Sequence, residues 1–565
     1  MSLRLDYNEI SNLKNGVFAN LSKLQKLSLE RNKIENIETG VFNNLSSLEI
    51  LTLYHNEIHK LDLEIFKGLI KLDTLDLSHN LIRNIPPGIF SSLTSLSLLT
   101  LDYNEISNLK NGVFANLPEL QTLSLDRNKI ENIETGVFNN LMSLESLSLE
   151  KNQIHKLDLE MFKGLIKLNT LDLSLNKIRN IPPGIFDSLT SLSLLDLSNN
   201  KIGDIEPKLF THLTELKTLT LNYNEISDLK NGVFANHTKL QILSLVGNRI
   251  ENIETGVFNN LTSLDILSLE ENQIHKLDLE MFKGLIKLSK LDLSYNKVRD
   301  IKPKLFTHLT ELIILIMDGN EISNLINGVF ANLSKLLTLS LVENKIENIE
   351  TGVFNNLMSL ESLSLEKNQI HKLDLEMFKG LIKLNTLDLR FNLIRNIPPG
   401  IFDSLTSLSI LNLVHNPLTC DCNNLLFVNV LKKNYPQLDV FGGYNPSCHF
   451  PVEMSEKSLI ELTENNFNCT SPDVIVVPEN KTVLVGEELQ LSCKAVGDPE
   501  PLITWAKDDI NLELGQRVQV FQNNTLIISK VERTDGGQYK CVATNYLGRK
   551  SFESMVKVNG LAENG

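Results

Sequence analysis

An Asn stands at residue 8 and returns every 24 residues as far as Asn416, with no insertion or deletion, which makes eighteen repeat positions. Ten residues after each Asn, from Phe18 to Phe402, comes a Phe, so seventeen of the 24 Phe share one equivalent site. A period this strict leaves few folds open. A copy of this size is one supersecondary unit that cannot bury its own apolar face, so the copies must stack as coils of a solenoid held by neighbour-to-neighbour contacts. Length alone, 565 residues, would suggest several domains. The period overrides that prior, because one solenoid absorbs more than 400 residues without a second core.

Each part of the repeat has a physical task. In Leu27-Ser28-Leu29 the apolar residues alternate, so both Leu point into the core while Ser28, between Lys26 and Glu30, faces out. One short strand per coil is predicted, paired in parallel with its neighbours at ~4.8 Å. The recurring Asn is placed to satisfy, with its side-chain amide, the backbone groups of the buried loop after the strand. The Phe column fills the wider convex side, where irregular or 3-10 backbone is expected. The stretch Leu27-Ser-Leu29-Glu-Arg-Asn32-Lys-Ile34 with Phe42 resembles the leucine-rich repeat. That resemblance implies an α/β solenoid, a horseshoe with a parallel concave sheet.

A longer period is superposed. Asn-Glu-Ile-Ser-(Asn/Asp)-Leu returns at Asn8, Asn104, Asn224 and Asn320, and His-Lys-Leu-Asp-Leu-Glu at His59, His155, His275 and His371. Blocks of four coils, once five, were therefore duplicated. The extra coil, Asn200 to Thr220, resembles the one that begins at Asn296.

All six Cys lie beyond residue 419, and eight Asn-x-Ser/Thr sequons stand at Asn20, Asn44, Asn236, Asn260, Asn332, Asn468, Asn480 and Asn523. An even Cys count beside glycosylation signals fits an oxidising, secretory compartment. The chain starts inside a repeat strand, Met1-Ser-Leu-Arg-Leu, with neither a signal peptide nor an N-terminal cap, and it reads as a fragment of an extracellular or cell-surface protein. Its first coil is expected to expose Leu3, Leu5 and an unpaired strand edge, which invites self-association. The longest clean apolar run, Leu312 to Met317, is too short to span a bilayer.

The array ends at Asn416-Pro-Leu-Thr-Cys420-Asp-Cys422, followed by Cys448-His-Phe-Pro451 and Asn466-Phe467-Asn-Cys469. Four Cys allow three pairings. The pattern resembles the C-terminal cysteine cap of extracellular leucine-rich-repeat proteins, which implies Cys420 with Cys448 and Cys422 with Cys469. The cap helix is expected over roughly 424–433, burying Leu425, Leu426 and Phe427, the last standing where that family commonly has Trp. Beyond it, Cys493, Trp505, Asp535-Gly-Gly537-Gln-Tyr539-Lys-Cys541 and Asn545-Tyr-Leu-Gly548 form an immunoglobulin signature. Gly497-Asp-Pro499-Glu-Pro501 is similar to the I-set class. An all-β sandwich is implied, with Trp505 packed on a Cys493 to Cys541 bridge and Tyr539 as a tyrosine corner. The expected divisions are 1–415 solenoid, 416–470 cap, 471–560 immunoglobulin-like domain and 561–565 tail. Together they resemble the leucine-rich-repeat plus immunoglobulin family of neuronal adhesion receptors, and the N-terminal half of peroxidasin-type matrix proteins.

A net charge of −15 argues against nucleic acid, polyanions or an anionic membrane as the main ligand. No nucleophile, base and orienter set, glycine-rich phosphate loop or zinc spacing is present, so neither catalysis nor a cofactor is expected. The four equivalent His lie four or five coils apart, roughly 20 Å at ~4.8 Å per strand, too far to share a metal.

The duplication supplies an internal control for the concave face. Lys26 to Arg31, Thr122 to Arg127, Ile242 to Gly247 and Thr338 to Glu343 are equivalent stretches, each followed by a nearly unchanged Ile-Glu-Asn-Ile-Glu-Thr-Gly-Val-Phe-Asn-Asn-Leu. Change is concentrated on outward strand positions, where drift alone would also have altered the convex side. In coils 5 to 9 acids stack, Asp102, Asp126 and Glu150 in one column and Asp172 and Asp196 in the next, and their repulsion is expected to be relieved by a basic partner, a cation, or Arg127 and Lys151. In coils 11 to 15 outward positions become Ile242, Val246, Ile266, Ile314, Ile316 and Val342, with Tyr223 and Tyr295 close by. Exposed apolar side chains on a sheet mark a protein contact. Five sequons, Asn20, Asn44, Asn236, Asn260 and Asn332, share one repeat position on the convex side, leaving the strand face open. The expected function is binding of an extracellular protein on the concave face. The alternatives are the targeting half of a peroxidasin-like enzyme and an innate immune receptor.

Overall fold

The computed structural model describes residues 1–398, 400–434, 439–440 and 446–560. They form two compact units, Met1–Leu365 with Gly380–Leu384, and Glu366–Lys379 with Asn385 onward. The division falls inside the repeats, whereas the repeat pattern runs on to Asn416. In a solenoid each coil depends on its neighbours alone, so no boundary between coils is privileged.

In the first unit each coil contributes a three-residue strand, from Ser2–Arg4 through Lys26–Ser28 and Ile50–Thr52 to Ser362–Ser364. Successive strands pair in parallel in constant register, Leu3 with Leu27 and Leu27 with Leu51. From the second coil onward the central Leu is buried and its flanks are mostly half-buried, as alternation requires, whereas Leu3 of the first strand is only half-buried between exposed flanks. The residue before each Asn is left-handed, with φ of 50° at Arg31, 53° at Arg127 and 57° at Glu343, and this turns the chain out of the sheet.

The recurring Asn then joins two coils. Asn104 donates from Nδ2 to the carbonyl of Leu77 in the preceding coil and to that of Leu101 in its own, both at 3.0 Å. Its Oδ1 accepts the N–H of Ile82, also in the preceding coil, at 3.0 Å. The same set recurs at Asn32, Asn152, Asn248 and Asn320. These Asn are buried, and their amides satisfy backbone groups that otherwise cost about 1–3 kcal/mol each when left unpaired. The Phe column forms a stack behind them, with neighbouring ring centroids 6.3 Å apart from Phe18 to Phe42 and from Phe90 to Phe114. Each buried Phe contributes about 1.5–3 kcal/mol by leaving water.

On the far side the backbone runs in successive i to i+3 turns, such as Ala19 N–H to the Gly16 carbonyl and Leu21 N–H to that of Phe18. Two-residue parallel ribbons interrupt this irregular course at Asn12–Leu13 with Asn36–Ile37, Asn108–Leu109 with Asn132–Ile133, Asp228–Leu229 with Asn252–Ile253, and Asn324–Leu325 with Asn348–Ile349. Amides bridge them side to side, Asn36 to Asn12 at 3.2 Å and Asn252 to Asp228 at 2.8 Å. The ribbons return once per duplicated block, so the longer period is visible in the backbone.

In the second unit, strands Thr386–Asp388, Ile410–Asn412 and Asp439–Val440 pair in parallel. Disulfides join Cys420 to Cys448 and Cys422 to Cys469, the pairing that the cap resemblance implies. The helix Cys422–Asn434 starts two residues before the expected position, because the Asp421 carboxylate accepts the N–H groups of Asn423 and Asn424 at 3.0 Å and caps it there. Leu425 and Phe427 are buried, with Phe427 tilted on Phe402 at 5.8 Å; the expectation for the Leu426 side chain lies outside the described residues. Asn424 ties the helix to the repeat that contains Asn392, accepting the Ile397 N–H at 3.0 Å and donating to the Arg395 carbonyl at 3.0 Å.

The remaining strands build the sandwich. One sheet contains Leu502–Lys507, Gly537–Asn545 and Gly548–Asn559, and another Leu489–Leu491, Leu526–Ile528 and Val518–Val520. Cys493 and Cys541 are bridged, and Trp505 is buried in the same core cluster with its indole N–H on the Asn524 carbonyl at 3.1 Å. The Tyr539 hydroxyl donates to the Asp535 carbonyl at 2.8 Å, forming the tyrosine corner.

One core position breaks the pattern. His237 occupies the site that Leu213 and Leu261 hold one coil before and after it, it is 1% exposed, and neither ring nitrogen has a hydrogen-bond partner. Burial pushes its pKa below 6.5, against a weaker upward pull from the backbone of Phe234, Ala235 and Phe210. A lowered folded pKa means that the unfolded chain binds the proton more readily, so this residue's stability contribution is full above pH 6.5 and declines as pH falls below it. His237→Leu, which retains the Asn236 sequon, is therefore expected to stabilise the solenoid by about 1–3 kcal/mol. In urea unfolding the gap between the two proteins should widen from pH 8 to pH 5.5, and an equal gap at both values would refute the account.

Candidate protein-binding face

The outward strand positions form columns along the sheet of the first unit. One column runs Ile242, Ile266, Lys290, Ile314 in direct register, so Lys290 divides the expected apolar row in two. Ile242, Ile266, Ile314, Ile316 and Val342 are half-buried. Val246 corrects the expectation. It is only 7% exposed, and its N–H is held by the Asn222 side chain of the preceding coil at 2.9 Å. Ile313, 38% exposed and immediately before the strand, adds apolar surface that the outward alternation did not reveal. Its signal was the unbroken run Leu312 to Met317.

Tyr223 and Tyr295 occupy the left-handed position of coils 10 and 13, with φ of 52° in both. The next coil has glycine at that position in each case. A Cβ on Gly247 would lie 2.3 Å from Cδ1 of Tyr223, and one on Gly319 would lie 2.5 Å from Cδ1 of Tyr295. Each ring therefore rests directly on a neighbouring glycine, and the two tyrosines remain 49% and 56% exposed.

The acidic strip has internal partners. Asp102 accepts the Ser124 hydroxyl at 2.5 Å and the Asp126 N–H at 2.9 Å, and Asp126 accepts the Ser148 hydroxyl at 2.5 Å and the Glu150 N–H at 2.8 Å. Asp172 and Asp196 sit in the adjacent column and accept from their own coils, the N–H groups of Ser174 and Ser198 at 2.8 Å. Arg127 lies 3.5 Å from the Glu150 carboxylate. Burial, reinforced by Asp126 and Asp76, pushes the Asp102 pKa up; burial, with Asp196 and Asp126, does the same for Asp172. Repulsion is thus real, yet each carboxylate already holds hydrogen bonds that fix the next strand or the turn after its own.

A second feature escaped the sequence reading. Across coils 1 to 6 the left-handed column and its neighbours form a chain of stacked rings and cations. Arg31 lies 5.4 Å from the Tyr7 ring and 5.5 Å from that of Tyr54, His79 stacks on Tyr103 at 4.0 Å, and Arg127 lies 5.0 Å from Tyr103. Only stacking brings together residues that stand 24 apart in the chain. All eight sequon Asn are exposed, and the five repeat-position ones lie on the turns beyond the Phe, off the strand sheet.

Ten overlapping stretches, from 1–58 to 358–418, match the family described as Leucine rich repeat. The chain belongs to the leucine-rich-repeat family. Residues 472–558 of this leucine-rich-repeat protein match the Immunoglobulin I-set domain. The human protein named Probable oxidoreductase PXDNL is 32% identical over 152 residues, which are 26% of this chain and 10% of that protein. The human Leucine-rich repeat and immunoglobulin-like domain-containing nogo receptor-interacting protein 2 is 32% identical over 162 residues, 26% of this chain and 25% of that one. The matches thus span from a tenth to a quarter of these relatives. The Drosophila Toll–Spatzle complex contains a chain of the same fold, 21% identical with a TM-score of 0.72, covering 84% of this chain and 67% of that one.

The ladder of carboxylates and hydroxyls generates a prediction. Asn222 fills the place of Asp126 four coils on, accepting the Ser244 hydroxyl at 2.6 Å and the Val246 N–H at 2.9 Å. Asp126→Asn should accordingly change stability by less than about 0.5 kcal/mol, whereas Asp126→Ala leaves two donors unpaired and should cost about 1–3 kcal/mol. Urea unfolding of the two variants side by side checks this, and equal losses would show that charge, not hydrogen bonding, is what matters at residue 126.

Proposed function

We propose that this protein is an extracellular or cell-surface recognition module, without catalysis, that binds a protein on the outward strand face of coils 10 to 15. The observation that carries the reading is the half-buried set Ile242, Ile266, Ile314 and Ile316, gathered within four successive coils beside two exposed tyrosines. Such surface is costly to leave in water and is the usual core of a protein contact. The sequon positions agree, since bulky solvated glycans on the turns leave the strands open. Three disulfides fit an oxidising compartment. Among the described residues no helix is long and apolar enough to cross a membrane. The relative named for interaction with a nogo receptor, and the Toll chain bound to Spatzle, are proteins of similar architecture or fold that take protein partners.

A second reading is favoured by the oxidoreductase relative, of which the matched region is a tenth. In that reading the same face would serve a longer protein as its targeting surface. The sequence of the full transcript separates the two, by a peroxidase domain or a membrane segment.

Screening against an array of cell-surface and secreted ectodomains should yield a partner whose binding depends on the strand face. Ile266→Asp should weaken it at least tenfold, since truncating a hot-spot residue costs about 1–2 kcal/mol or more, whereas Asn236→Gln should leave affinity unchanged. Full affinity for the first variant, or loss for the second, would move the site off the strand face.

A further inference from the structure

We propose that Tyr223 and Tyr295 are preformed seats for two cationic side chains, Arg or Lys, carried on an extended segment of the protein partner that lies along the strand face. The inference rests on the binding-face reading above and names the chemistry that the face selects.

The repeat itself supplies the precedent. In coils 1 and 5 the equivalent residues are Tyr7 and Tyr103, and the next coil offers each of them an Arg at the same position. The guanidinium of Arg31 lies 5.4 Å from the Tyr7 ring and that of Arg127 lies 5.0 Å from the Tyr103 ring. This site in the fold is thus one where a cation meets a tyrosine. In coils 10 and 13 the internal Arg is replaced by Gly247 and Gly319, and each ring drops onto the glycine. With one side held against backbone, the ring gives up little side-chain entropy when a ligand arrives. About half of each tyrosine stays exposed to receive it.

The surroundings select the sign of the charge and the character of what lies between. On the outward side of coils 12 to 15 stand Glu270, Glu271, Asp318 and Glu343, against the single Lys290. Burial, together with the neighbouring Asp292 carboxylate, pushes the Glu270 pKa up. A cationic partner is attracted to these carboxylates, and an acidic one is repelled. Between the tyrosines in their own column stand Gly247 and Glu271, and Ile242 and Ile266 begin the strands of those same two coils. Tyr223 and Tyr295 are 72 residues, or three coils, apart (295 − 223). At ~4.8 Å per coil that is roughly 14 Å, which an extended chain at ~3.4 Å per residue covers in about four residues. The segment sought has two cations spaced four apart.

The probe is a fluorescently labelled synthetic peptide with the core Arg-Val-Leu-Val-Arg, compared with the same peptide carrying Gln in place of both Arg. Binding to the whole chain is read by anisotropy, with circular dichroism confirming that each variant is folded. The Arg peptide should bind, and the Gln peptide should bind at least ~5-fold more weakly, the size expected for loss of cation–π contacts. Tyr223→Ala and Tyr295→Ala should each weaken the Arg peptide by a similar factor. Gly247→Ala, which keeps the Tyr223 ring but displaces it, should do so as well, and Tyr7→Ala should have no effect. The proposal is overturned if the Arg peptide fails to bind at about 1 mM, if the Gln peptide binds equally well, or if the tyrosine variants bind like the original. Ile266→Asp separates the two readings. If it abolishes binding while the tyrosine variants do not, the strand face stands and the cation seats fall; if none of the three has an effect, both fall. Self-association of the chain that Tyr223→Ala abolishes, without Arg-peptide binding, would make a second copy the occupant and likewise overturn the proposal.

Discussion

Each recurring Asn divides its side-chain amide between two coils, and the rest of the solenoid depends on that division. Asn128 donates to the carbonyls of Leu101 and Leu125, one coil apart, and accepts the Ile106 N–H. A loop buried between a sheet and an aromatic column has no water to bond to, so without the amide its backbone groups would be orphaned. Because the Asn reaches backward by a fixed distance, each coil must repeat the spacing of the one before. An insertion between strand and Asn would break the bonds of two coils, so the strand-to-Asn spacing is held constant. At the cap Asn424, eight residues past Asn416, bonds other backbone groups, Ile397 N–H and the Arg395 carbonyl, from a helix that Asp421 caps.

The outward columns obey a weaker rule of the same kind. Where a strand ends in Ser, as at Ser124, Ser148, Ser244 and Ser340, the preceding coil supplies an Asp or Asn that accepts its hydroxyl. Where it ends in Asp, as at Asp172, Asp196 and Asp292, the Ser two residues later in the same coil donates its backbone N–H to that carboxylate. Polar residues on the face therefore come in coupled sets, and much of the acidic strip is occupied with holding strands together. Ile316 stands at the strand-end position and makes no such bond, and Ile242, Ile266 and Ile314 stand at the first position of their strands, outside these coupled sets.

Architecture and register were legible in the amino-acid sequence because each depends on local spacing. Two Leu one residue apart, an Asn three residues on and a Phe ten beyond it define the strand, the ladder and the stacked core, and all are found where the period puts them. The Cys and Trp505 of the sandwich are likewise marked by spacing and residue type. What spacing does not carry is contact between coils. Whether Asp126 is a free charge or a strand clamp depends on Ser148, and whether Tyr223 stands out or lies down depends on Gly247. His237 reads as one more surface residue of a sequon until its coil is seen to place it where Leu213 and Leu261 are buried. The sequence by itself determined the coil, since a coil is written in consecutive residues. Only the tertiary structure decided what each outward side chain can do, because its neighbours come from the stacking of one coil on the next.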